Sequence, residues 1–187
     1  MSNRSLYFVT SNKHKFHEAK DILENYNIKL RMVNRKIEEI QSDDLRKIAL
    51  HSLKSAFTIN KFPMIVEDAG LFIKALNGFP GPYSSYVYKT LGSDGIIKLM
   101  IGKDDRDAEF RSVVAFSNSS IIKTFKGIVK GKIAIKPRGK LGFGFDPLFV
   151  PRGSKRTFAE MVLEEKNKYS HRALALKKFI RWFVRNL

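Results

Sequence analysis

Residues 5–26, SLYFVTSNKHKFHEAKDILENY, decide the class of fold. Leu6, Tyr7, Phe8 and Val9 form a short aromatic and β-branched run of the kind that suits a buried strand. Thr10, Ser11 and Asn12 end that run, and asparagine is a natural helix N-cap. Phe16, Ala19, Leu23 and Tyr26 then recur at helical spacing, so a helix is expected over residues 13–25. A strand leading directly into a helix opens an α/β fold.

Working outward, residues 28–34 alternate as a second strand. Ser42 or Asp43 is positioned to cap a helix whose Leu45, Ile48, Ala49, Leu53 and Ala56 share one face. Pro63 opens a buried strand over 64–67 that ends at Asp68, and a separate strand is expected over 71–76 after Gly70. Gly78, Pro80, Gly81 and Pro82 mark a turn-rich stretch, followed by one or two helices within 85–101. Two long β-patterned runs, 108–117 and 121–135, precede a glycine-rich loop at 139–144. A last helix begins at Ser170, with Ala173, Leu176, Ile180, Phe183 and Leu187 at steps of three and four. The expected fold is α/β with a mixed sheet. No repeat, low-complexity tract or linker divides the chain, so residues 1–187 are read as a single domain.

Hydrophobic residues make up 43% of the 187 and charged residues 28%, the balance of a soluble globular protein. Cysteine is absent, which excludes disulfides, thiolate metal sites and a cysteine nucleophile. No apolar run approaches the length of a membrane span and no signal-like segment opens the chain, so a cytoplasmic protein is expected. Lys+Arg 35 against Asp+Glu 18 gives a formal +17, a field that attracts polyanions. The cations are spread along the chain, denser at 13–20, 130–140 and 177–185; spread charge is more often a solvated surface than a specific groove, and composition alone leaves nucleic-acid binding open.

Four segments carry polar groups suited to chemistry. Thr10, Ser11, Asn12, Lys13, His14 and Lys15 lie at a strand-to-helix junction, where helix N–H groups and a lysine suit phosphate. The same residues also read as an ordinary cap with solvated lysines. Glu67 and Asp68 are adjacent acids at a strand end, and acids buried there need a cation or donors, whereas an exposed acidic turn needs neither. If the preceding loop's Glu38 and Glu39 approached Asp68, two or three carboxylates would suit Mg²⁺. Gly142, Phe143, Gly144, Phe145 and Asp146 combine close backbone approach with two rings that either stack on a base or fill the core. Lys166 and the Ser170-His171-Arg172 helix start complete the set.

In this order the segments TSNKHK (10–15), EIQ (39–41), VEDAGLFIKALNGFPGPYS (66–84), GFGFDPLFVP (142–151), TFAEM (157–161) and EEKNKYSHRALAL (164–176) resemble the inosine triphosphate pyrophosphatase family, also called the Ham1 or RdgB family. The resemblance runs over roughly residues 6–179. It implies an elongated α/β fold of two lobes, a twisted mixed sheet flanked by helices, a substrate cleft between the lobes, and a homodimer. It further implies hydrolysis of ITP, dITP and XTP to the monophosphate and pyrophosphate. Thr10 to Lys15 would hold the triphosphate, Glu39 and Asp68 would hold Mg²⁺, and Asp68 would direct or deprotonate the attacking water. Phe143 to Asp146 would line the base pocket, and Lys166, His171 and Arg172 would reach base or phosphates.

Three positions depart from the family's pattern. Ala69 follows the acidic pair where serine is common, Phe145 stands where tyrosine or tryptophan is common, and Ser52 aligns with a lysine that Lys54 would replace. Two alternatives stay open beside this reading. A Maf-type pyrophosphatase would prefer modified pyrimidines, but the GFGFDP and SHR segments favour the purine family. A basic nucleic-acid-binding protein would show salt-dependent binding without catalysis, although no such motif is present.

Overall fold

The computed structural model describes residues 5–38, 40–58 and 61–186. The opening strand and helix form as the sequence implies, with β1 at Ser5–Val9 and α1 at Lys13–Glu24. Asn12 Oδ1 accepts from the Lys15 backbone N–H at 3.2 Å, satisfying one of the orphan donors of the first turn. β2, Lys29–Val33, pairs in parallel with β1, placing Leu6 opposite Leu30. α2, Leu45–Phe57, is capped by Asp44 rather than by Ser42 or Asp43. Asp44 Oδ1 accepts from Arg46 N–H at 2.8 Å, while Ser42 Oγ is used one step earlier, on Asp44's own N–H.

The largest difference from expectation is β3, which runs unbroken from Met64 to Ile73. Gly70 does not end the strand. It admits a neighbour instead: a Cβ there would lie 2.2 Å from the Gly81 carbonyl oxygen. That neighbour is β4, Pro80–Gly81, antiparallel to β3. Residues 74–76, expected as strand, form one 3₁₀ turn. Ser84 Oγ holds this corner by accepting from Leu71 N–H at 2.8 Å and donating to Gly81 O at 2.6 Å. α3, Ser84–Leu99, is two helical pieces joined at Gly92, whose φ of 63° and ψ of −170° are not helical.

β5 (Asp107–Ser117) and β6 (Ile122–Ile133) follow, with β7 (Phe149–Pro151) antiparallel to β6. The last helices are α4, Leu163–Tyr169, and α5, His171–Asn186. Three-residue β7 and seven-residue α4 are too short to show a period in sequence. Among the described residues the sheet order is β2-β1-β3-β5-β6-β7, with β4 on β3. Parallel β1–β2 and β1–β3 pairs beside antiparallel β3–β4 and β6–β7 pairs make it a mixed sheet.

The chain forms two compact units, and β3, β5 and β6 each contribute residues to both. The first holds β1, β2, α1, α2 and all of α5 after His171. Its core joins Leu6 and Phe8 of β1, Ile22 and Leu23 of α1, Phe116 of β5, and Leu176, Phe179, Ile180 and Phe183 of α5. Each such burial contributes about 1.5–3 kcal/mol, and Ala173, Leu176, Ile180 and Phe183 lie on the buried face that the apolar period of α5 implies, while Leu187 lies outside the described residues. The second unit runs over 69–111 and 128–171. Phe110 packs there against Phe149 and Phe158, with ring centroids 4.8 and 6.0 Å away. Among the described residues no helix is long and apolar enough to cross a membrane.

Candidate active site

The first unit contains a buried charge network built on Glu67, the first of the adjacent acids of β3. Successive side chains on a strand point to opposite faces, so Glu67 and Asp68 serve different surroundings. Glu67 is buried and receives three groups. Lys15 Nζ lies 3.1 Å from its Oε2, Arg172 Nε lies 3.2 Å from its Oε1, and Ser112 Oγ donates to Oε1 at 2.6 Å. Lys15 Nζ also donates to the Glu67 carbonyl oxygen at 3.1 Å. The requirement that a buried acid find cations or donors is met here twice over.

Arg172 is 2% exposed, and its guanidinium lies between Glu67 and Glu18, bonding the latter through NH1. The family resemblance sent this arginine toward base or phosphate. Among the described residues its guanidinium meets two buried carboxylates of its own unit. Lys15, expected to offer a full charge to phosphate, is likewise held against Glu67 and keeps only 18% of its side chain exposed. Glu18 is the residue that reading by motif missed. Its signal was available: it shares the inward face of α1 with Ala19 and Ile22, and an acid on an apolar face implies a buried cation.

Thr10, Ser11 and Asn12 form the turn into α1, with Thr10 Oγ1 accepting from Asn12 N–H at 3.1 Å. Lys13 and His14 stand exposed on the first turn. Asp68 is partly exposed, as is Ala69 beside it, which brings no hydroxyl. Glu39, the second expected Mg²⁺ ligand, lies outside the described residues. Ser52 is buried on the inner face of α2, whereas Lys54 is exposed. Residues two apart on a helix do not share a direction, so Lys54 does not project where Ser52 does.

In the second unit the glycine-rich loop is organised by Asp146, which is 3% exposed. Its Oδ2 accepts from Phe143 N–H at 2.8 Å and from Lys166 Nζ at 2.5 Å. Gly142 is required at φ +74°, and a Cβ there would lie 2.2 Å from that same Oδ2. Gly144, at φ +61°, has open space around its Cβ position. The two phenylalanines part company. Phe145 is buried, edge-on to Tyr88 at 5.3 Å, so its ring fills the core. Phe143 is partly exposed, with the Lys166 ammonium 5.0 Å from its ring. His171 is buried and stacks on Phe110 at 4.6 Å with 10° between planes.

One unit therefore offers a helix N-terminus, a braced lysine and a partly exposed aspartate. The other offers a half-exposed ring over a buried lysine. A family model described as the Ham1 family matches residues 6–182. A dITP/XTP pyrophosphatase of Saccharolobus solfataricus is 53% identical over 91% of this chain and 89% of its own length. One of Methanopyrus kandleri is 49% identical over 96% of each chain. Among solved structures, a HAM1 protein from Coxiella burnetii superposes with a TM-score of 0.86 at 28% identity, covering 97% of this chain and 99% of its own. The Ham1 protein of Staphylococcus aureus gives 0.80 at 26% identity, covering 97% and 100%. With a family model spanning nearly its whole length and relatives at about half identity, this chain belongs to the Ham1 family.

Proposed function

We propose that this protein hydrolyses dITP, ITP and XTP to the nucleoside monophosphate and pyrophosphate. The observation that carries the reading is the 53% identity, over nearly the full chain, to a relative named dITP/XTP pyrophosphatase. Groups within each unit support it. Attack on the α-phosphorus needs an aimed water and cations on the departing pyrophosphate. Asp68, partly exposed at the middle of a ten-residue strand, is the base that orients or deprotonates the water. The N-terminus of α1, from Thr10 to Lys15, receives the phosphates, its dipole and N–H groups favouring anions. Phe143 presents the ring on which the purine stacks.

Mg²⁺ is the metal we assign to the reaction, and the donor chemistry fits it. Glu67 is engaged by two cations, which leaves Asp68 as the described β3 carboxylate suited to a metal, with Glu39 the expected second. Mg²⁺ takes one or two protein carboxylates and completes its shell with phosphate oxygens and water. When bound, it supplies positive charge to the phosphate oxygens. Pyrophosphate release from dITP, XTP, dATP and dGTP, with and without Mg²⁺, tests the function. Activity on the first two that requires the metal is expected, and equal rates on all four would defeat the reading.

A homodimer and a cytoplasmic location complete the proposal. Residues 77–88, NGFPGPYSSYVY, carry no charge in a chain of formal charge +17, and Tyr83 and Tyr86 are exposed there. Like-charged copies associate most readily through such a neutral, aromatic face. Sedimentation at micromolar concentration reads the state, and a monomer would contradict it.

A further inference from the structure

The catalytic reading leaves most of the positive charge unused. In α5, Lys178, Arg181 and Arg185 are exposed, recur three and four residues apart, and so share one helix face with Trp182 between them. Residues 112–127 add Lys123 and Lys126 and contain no acid. The two segments are tied together within the first unit. Lys178 Nζ donates to the Lys126 carbonyl oxygen at 2.8 Å, and the Lys123 ammonium sits 5.2 Å from the Trp182 ring. Among the described residues none of these five cations belongs to an ion pair, and α5 carries no acid at all. Arg181 and Arg185 stand one turn apart, a like-charge spacing that destabilises a helix.

We propose that this face docks, independently of sequence, on the phosphate backbone of double-stranded DNA. Three cations along about 10 Å of helix axis meet a polyanion with a charge every 1.7 Å or so. The chemistry of the patch separates this occupant from other anions. Single strands are held by stacking bases on open aromatic faces. Here the Trp182 ring packs against Phe116 and Phe125, with centroids at 5.4 and 5.6 Å, and Lys123 lies over it. The same packing withholds the indole from a bilayer, which basic helices enter through apolar side chains. What remains on offer is charge alone, which is what backbone binding uses.

The test measures anisotropy of a labelled DNA duplex of about 20 base pairs, titrated with the full-length protein from about 50 to 200 mM salt. Five phosphate contacts give a slope of log K against log salt near −4.5, from about −0.9 per contact. The triple variant Lys178→Glu, Arg181→Glu, Arg185→Glu is expected to lose about 2.7 of that slope and at least about tenfold in affinity at the middle of the range. Its alanine counterpart is expected to lose the same slope, which guards against a folding defect in the glutamate form. A control triple, Lys98→Glu, Lys103→Glu, Lys155→Glu, removes the same net charge from exposed positions of the second unit. It is expected to keep the wild-type slope, and all variants are expected to keep wild-type triphosphate hydrolysis. Failure of the wild type to bind, equal losses in the α5 and control variants, or tighter binding to single-stranded RNA or phosphatidylglycerol vesicles than to the duplex would each overturn the proposal.

Discussion

Replacing Arg172 with alanine removes the guanidinium from between two buried carboxylates. The side chains of Arg172, Glu18 and Glu67 are 2, 5 and 1% exposed, so water does not replace the lost contacts. Breaking a buried ion pair from one side costs about 3–5 kcal/mol, because the remaining charge stays in a poorly polarisable site. Lys15 and Ser112 still serve Glu67, which places the expected cost toward the lower end, about 3 kcal/mol. In a chain of 187 residues that is a fall in Tm of about 6–12 °C, at 2–4 °C per kcal/mol. Urea unfolding at about pH 7 measures the loss, and repetition near pH 5 checks its cause. A buried carboxylate that has lost its cation is relieved by protonation, so the deficit against wild type shrinks as pH falls. Adding Glu18→Gln to the variant is expected to restore part of the stability. Because the arginine acts through Glu67 and Lys15, activity on every purine triphosphate is expected to fall by a common factor. A variant within about 1 kcal/mol of wild type would refute the network, and a change confined to the choice between hypoxanthine and adenine would put Arg172 in the base pocket.

Asp68→Asn keeps the shape but loses the proton acceptor, so kcat is expected to fall about 10²–10⁴-fold with an unchanged urea midpoint; retention of a tenth of the rate would remove Asp68 from catalysis. Gly142→Ala strains a residue at φ +74° and drives a Cβ toward Asp146 Oδ2, so it is expected to cost about 1–3 kcal/mol and to raise KM by loosening Lys166. Wild-type stability and KM in that variant would contradict the loop's assigned role. The Thr157 backbone N–H, donating to Glu160, holds that carboxylate below its ordinary range, with Arg138 adding to the effect. Its contribution is therefore present above the unfolded carboxylate's pKa and disappears as pH falls through the lower folded value. Glu160→Gln is expected to flatten the acid limb of the stability curve, and superimposable curves would show that this hydrogen bond contributes nothing there.

The opening strand and helix, the inward face of α5 and the cap at Asn12 were legible because period and cap chemistry act locally. β3 was read as two strands because glycine after an acidic pair looks like a stop. Only the arrival of β4, from ten residues downstream, explains why Gly70 is small. The candidate site shows the same division. Motif reading singles out Asp68 and Lys15 in the first unit and Phe143, Asp146 and Lys166 in the second, whereas the surroundings of Arg172 and Phe145 are not local. Burial between Glu18 and Glu67, or against Tyr88, is set by packing that no local spacing encodes. Ser112 could not have been singled out, since a serine inside a β-patterned run announces no partner 45 residues away.

Hydrolysis of dITP in water enriched in heavy oxygen, with both products analysed by mass, tests the central claim most directly. Attack by water on the α-phosphorus places the label in dIMP and leaves pyrophosphate unlabelled. Label in pyrophosphate or in free orthophosphate would place the attack on another phosphorus and contradict the account.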